Sequence, residues 1–374
     1  MDGIGALARV SLRDRLQALV DAEVSAWPTM PAGLLCVLTP DVDIEVAAGV
    51  ADLATGRPLA PGSRFRIASV TKPFVAAATL RLVEDGRLSL DDTADRLLPG
   101  AYDELLRDGG YDTAAITLRH LLTHTSGIYD FAASAYDPSI DDGFDAAIAA
   151  DPTHRWTREE QLRFAVDHGE PYGPPGAVYC YSDTNANLVG ELLERETGST
   201  MGAAIRDLVG YDRHGLHHTY QESIEPEPAE MPPWSRQYER DVDVLTIDPS
   251  VDLYGGGGLV STCADLARFF RALLRGEVFD DPATLATMTT CLQGVPASDR
   301  LATGDDPDDA AMFLFRASAG DREWWGHDGW WGTTAYTCPE LDLTVVAGHQ
   351  QPYMGKDFDR MAVLAEVLEL LDAD

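Results

Sequence analysis

Ser69 and Lys72, in Ser69-Val70-Thr71-Lys72, combine a hydroxyl with an amine at a spacing that could activate it. The 374-residue chain contains two lysines, Lys72 and Lys356; its other basic side chains, histidine aside, are arginine. Arginine cannot give up its proton in a protein, whereas a partly buried lysine can. At the start of a helix, residues three apart share one face. A lysine so placed can act as base toward the serine hydroxyl, which then attacks a carbonyl.

The flanking sequence supplies elements to hold this pair. Phe65-Arg66-Ile67-Ala68 reads as a short strand or extended entry. From Lys72 to Leu88, apolar Phe74, Val75, Ala78, Leu82 and Val83 recur at a helical period, ending near Gly86. Ser69 would then stand at a helix N-terminus, where unpaired N–H groups favour developing negative charge. Residues 32–52 predict a two-stranded hairpin turning near Thr39-Pro40-Asp41. The middle of the chain predicts helices at 117–124, 157–167, 184–196 and 262–275. Strands return at Met312–Phe315, Thr333–Tyr336 and Leu343–Ala347, before a last helix over about 357–372. Met1–Val20 is a further amphipathic helix candidate. Strands at both ends around a helical middle predict an α+β fold. Residues 1–68 and 255–374 would form a sheet closed by both termini, 69–254 a mainly helical region, and the site would lie between them. Segments 129–156 and 221–250 read as loops at its rim.

Composition narrows the function. The formal charge of -34 and pI near 4.4 repel nucleic acid and anionic membranes. No apolar run reaches the ~20 residues of a membrane span, and the N-terminus does not read as a signal peptide, so the chain reads as cytoplasmic. Cys36, Cys180, Cys263, Cys291 and Cys338 are scattered and lack C-x-x-C spacing, which predicts structural thiols and not a disulfide framework or zinc site. His120 and His124 have a metal-pair spacing, but the glutamate of H-E-x-x-H and a third ligand are missing; a helix capped at Gly127 accounts for them better.

Two further segments complete a pattern: Tyr181-Ser182-Asp183, in a loop before a helix, and His327-Asp328-Gly329, leading to Trp330-Trp331-Gly332 and a strand. With Ser69-x-x-Lys72 these resemble the serine β-lactamase and penicillin-recognising enzymes, on the class C, DD-peptidase and esterase branch. Supporting matches are His120–Ile128, Pro175-Gly176 and Gly256–Thr262, so the resemblance spans about Gly33 to Gly348. Gly255–Gly258 is accordingly not a phosphate loop, since no Gly-Lys-Ser/Thr follows.

The resemblance implies an acyl-enzyme on Ser69, with Lys72 and Tyr181 sharing the proton transfers, His327 in the catalytic set, an oxyanion held by the N–H groups of Ser69 and Trp330, and no cofactor or metal. The chain departs from the family pattern at Asp183, usually asparagine, and at Asp328, usually threonine. Two acids in the cleft would repel anionic substrates, so neutral or amine-bearing small esters and amides, including D-aminopeptidase-like substrates, are expected over β-lactams and carboxylate-terminated peptides. Alternation along a strand leaves a second reading of Asp328, facing away from His327 and orienting a neighbour. Gly329, Trp331 and Tyr254 are candidate substrate contacts, and Trp324, Trp325, Trp330 and Trp331 divide between core and an acyl pocket. Alternative functions are an acyltransferase, a DD-carboxypeptidase or β-lactamase, and a silent binding or sensor protein.

Overall fold

The computed structural model describes residues 11–372, apart from Pro28, Tyr136, Pro138, Asp141, Arg240, Leu301, Ala302, Gly304 and 352–360. Seven antiparallel strands form the main sheet, in the order Arg57–Pro58, Asp43–Asp52, Ala32–Leu38, Leu343–Gly348, Thr333–Cys338, Arg322–Gly329 and Phe315–Ala319. The N-terminal strand Ala32–Leu38 pairs with Leu343–Gly348 in the register Leu34↔Gly348 to Leu38↔Thr344. The sheet is thus completed by both ends of the chain, as the strand pattern predicts.

Period-two alternation assigns the two faces. Leu35, Val37, Val345, Trp324 and Tyr336 pack beneath helices Leu12–Ala26 and Ala362–Asp372, through Leu16, Val20, Val363 and Val367. Leu34, Cys36, Val346, Ala335 and Trp325 join the larger core on the opposite face. That core continues through helix Cys263–Leu274 (Phe269, Phe270) into helix Thr71–Glu84, where Phe74 stacks on Phe269, and on to Leu188 and Leu192 of helix Asp183–Thr197. Thr71–Glu84 carries no polar stripe over its first ten residues: Thr71 to Leu80 are all buried. Lys72 aside, these residues are apolar or small, so this is an interior helix, buried as its period suggests but on every side of its first turns.

Helices Leu118–Leu122, Arg158–His168, Asp183–Thr197 and Cys263–Leu274 follow the predicted segments closely. The short strand predicted at the entry to Ser69 is present, whereas the one predicted at Met312–Phe315 needs correction. Phe65–Arg66 is a two-residue strand in a small separate sheet with Leu259–Ser261 and Tyr220–Gln221. Met312–Leu314 is buried but not a strand, because Phe313 takes φ +49°; the strand starts at Phe315. The terminal helices are Leu12–Ala26 and Ala362–Asp372; residues 1–10 and 357–360 of the predicted ones lie outside the described residues. Segment 221–250 carries a small hairpin, Tyr238–Glu239 with Val242–Asp243. All five cysteines are free, four of them buried, and burial pushes the Cys36 and Cys263 thiols up. No helix among the described residues is long and apolar enough to cross a membrane.

Candidate active site

The site is built where the first turn of Thr71–Glu84 meets the start of Asp183–Thr197 and the end of Arg322–Gly329. Ser69 lies in a 3-10 turn, Ala68–Val70, immediately before its helix. Ala68 adopts φ +46°, a left-handed conformation that costs a non-glycine residue about 1 kcal/mol and sharply turns the chain into the serine. Lys72 follows one turn later and is fully buried.

A buried ammonium must be paired and hydrogen-bonded. Lys72 Nζ donates to Ser69 Oγ at 2.8 Å and to the Gly256 carbonyl at 2.8 Å, and it forms an ion pair with Asp183. These three acceptors match the three hydrogens of an ammonium group. A Cβ on Gly256 would stand 3.0 Å from Asp183 Oδ1, so glycine lets the carbonyl lie beside the pair. The Tyr181 hydroxyl is 2.8 Å from Ser69 Oγ on the other side, and Lys72 Nζ is 4.9 Å from the Tyr181 ring centre. Ser69, Lys72 and Tyr181 are therefore brought together as the sequence predicts.

His124 backs Tyr181. Its φ of +55° carries the ring inward, stacked on the phenol with centroids 4.5 Å apart. Nδ1 accepts the Ser182 backbone N–H at 3.1 Å, so in the neutral ring Nε2 carries the proton. Burial, then the Lys72 charge, hold this imidazole well below its usual pKa. His120 lies elsewhere: its Nδ1 accepts the Thr117 N–H and closes a capping box. The two histidines thus serve different elements. The helix ends at Leu122, earlier than the predicted stop at Gly127, because Thr123 and then His124 leave helical geometry.

His327 is buried, and its Nδ1 donates to the Asp328 carbonyl at 2.7 Å. Its ring lies 6.3 Å from that of Tyr181 and 5.0 Å from that of Phe315. Asp328 points to the opposite face of the sheet, accepting from Thr334 at 3.0 Å and Tyr336 at 2.9 Å. Direct substrate contact by Asp328 is thereby corrected: strand alternation sends it toward the face that holds Trp324. Gly329 permits close approach, since a Cβ there would meet the Ile67 carbonyl at 2.4 Å. The end of this strand therefore lies against the segment leading into Ser69, and the tight turn Gly329–Gly332 follows. Trp331, with Trp330 against it, packs on Ala68 and Val244 beside the serine, whereas Trp324 and Trp325 are core on the two sheet faces. Tyr254 is engaged with other groups: its hydroxyl donates to the Trp156 carbonyl and its ring lies under Arg158, fixing a loop to helix Arg158–His168.

Sequence reasoning missed two carboxyls. Asp130 is buried, and its Oδ1 accepts the N–H groups of Ala132 and Asp183. Burial, then the neighbouring Asp183 charge, push it well above the usual carboxylate range. Burial also raises Asp252 to about 7, partly opposed by Arg66. Neither has a spacing signature; only the fold gathers them around Lys72.

The Beta-lactamase family profile matches residues 21–369. The chain belongs to that family. Within it, the chain is similar to Esterase EstB of Burkholderia gladioli, 31% identical over 306 residues, which cover 75% of this chain and 74% of that protein. Among solved structures it is similar to a D-stereospecific amidohydrolase from Streptomyces sp., with TM-score 0.75, 26% identity, and 96% and 97% of the two chains covered. The D-amino acid amidase of Ochrobactrum anthropi SV3 shares the fold, with TM-score 0.76, 23% identity, and 97% and 99% covered.

Proposed function

We propose that the protein is a serine hydrolase that cleaves small-molecule esters or amides through an acyl-enzyme on Ser69. The observation that carries the reading is the Ser69 hydroxyl 2.8 Å from both Lys72 Nζ and the Tyr181 oxygen. The Tyr181 hydroxyl donates to Ser69 Oγ at rest, and the neighbouring Lys72 ammonium favours the ionised phenol, which then accepts the serine hydrogen. As Ser69 Oγ bonds to the carbonyl carbon, its proton passes to the Tyr181 phenolate, which becomes a neutral phenol, while the carbonyl π pair moves onto oxygen as the oxyanion. The N–H groups of Ser69 and Trp330 hold the oxyanion. The bond to the leaving group breaks as Tyr181 returns the proton to it, and water hydrolyses the serine ester. The ester and amide chemistry named for EstB and the Streptomyces amidohydrolase supports this class.

The preference for neutral or amine-bearing substrates now rests on Asp183, joined by Asp130 and Asp252 as pH rises through their raised titrations, and not on Asp328. Incubation with 4-nitrophenyl butyrate should add one butyryl group to Ser69, seen by mass spectrometry and absent in Ser69→Ala. Turnover of a chromogenic cephalosporin faster than of this ester would overturn the charge argument.

A further inference from the structure

A cavity of ~330 Å³ opens beside Tyr181. Asp130 and Cys180 line it with Tyr181, while Tyr129 and Tyr172, a tilted pair 5.4 Å apart, form aromatic wall. At its rim, Arg300 lies over Tyr172 at 4.5 Å and donates to the carbonyls of Glu170 and Pro171, so that guanidinium is already engaged. Asp130, Asp137 and Glu170 outnumber it among the charged groups of the lining, with His168 beside them. The group that returns a proton to the leaving atom must touch that atom, so the substituent beyond it runs into the space that Tyr181 lines.

We infer that this cavity is the leaving-group and acceptor subsite, and that it takes an alcohol or amine carrying a second, cationic nitrogen held by Asp130 and the tyrosine rings. The inference rests on the acyl-enzyme reading and deepens it. Aromatic faces and a carboxylate in a partly desolvated pocket are the groups that bind quaternary and protonated amines. By reversal of the same steps, such an alcohol would compete with water for the acyl group on Ser69, passing its own proton to Tyr181 as its oxygen bonds to the acyl carbon; Tyr181 then returns that proton to the Ser69 oxygen as the serine ester bond breaks.

The pH dependence follows from the groups facing Asp130. Asp183 and burial disfavour its charge; Lys72 and the two backbone N–H groups favour it; Asp137 and Arg300 share the cavity. A bound cation favours the ionised carboxyl, so binding tightens as pH rises through the Asp130 titration.

The test compares 2-(trimethylammonio)ethyl butyrate with its neutral isostere, 3,3-dimethylbutyl butyrate. The wild type should favour the cationic ester by about tenfold or more in kcat/KM, the ratio rising with pH. Asp130→Asn, which keeps an acceptor for both N–H groups, should bring the ratio close to one. In the wild type, choline added to 4-nitrophenyl butyrate should divert butyryl into the choline ester, and 3,3-dimethylbutanol should not. A wild-type ratio of one or below, a ratio unchanged in Asp130→Asn, or equal diversion by both alcohols overturns the inference while leaving the hydrolase intact. Equal turnover of 4-nitrophenyl butyrate by Ser69→Ala overturns the hydrolase reading itself.

Discussion

In the proposed mechanism Tyr181 moves protons and Lys72 holds charge, and the two roles separate experimentally. Tyr181→Phe removes one hydroxyl from a ring still stacked on His124. It should lower kcat about a hundredfold or more with circular dichroism unchanged. A loss under tenfold would shift the proton transfer to another group. Asp252 affects stability in a pH-dependent way. Its folded pKa is about 7, against about 4 in the unfolded chain. The folded state therefore binds the proton more tightly, and this contribution to stability is lost as pH rises from about 4 to 7. The Tm of Asp252→Asn minus that of the wild type should grow over this interval and level off above pH 7. A difference independent of pH would refute the assignment.

Glycine contacts set the geometry at the level of elements. Gly329 has its missing Cβ aimed at the Ile67 carbonyl, and Gly332 takes φ +92° with the Gln351 carbonyl 2.2 Å from where a Cβ would be. Gly329→Ala should push the histidine strand off the Ser69 turn, lowering both kcat and Tm; unchanged kcat would mean that the approach is not functional. Much of this was legible in sequence. Ser69-x-x-Lys72, Tyr181 and His327 carry side chains whose spacing or context marks them. Helix Asp183–Thr197 was readable because its period and its capping glycine agree, Gly198 being left-handed. What escaped reading depends on chain direction. Phe313 and His124 leave regular geometry at positive φ, where no residue preference announces it. Asp328 could be placed only once the parity of its strand was fixed by Trp324 and Trp325. Asp130 reaches Lys72 solely through the fold of a loop.

For the whole molecule, acids exceed basic residues by 34, so ion pairing cannot neutralise the surface even though arginines pair widely, as at Arg66–Glu222 and Arg271–Asp342. Self-repulsion should outweigh the attraction within exposed pairs. Sodium chloride at 1 M should therefore raise Tm above its value in dilute buffer, by shortening the screening length to about 3 Å. A fall in Tm would show that the ion pairs dominate. The pairing of Ala32–Leu38 with Leu343–Gly348 has a temporal consequence. During synthesis the early hairpin emerges with one edge unfilled, and the ribosome must deliver nearly every other described strand and helix before its neighbour arrives. The nascent chain cannot finish its sheet in instalments, so the nucleophile's helix is synthesised long before the sheet beside it can close.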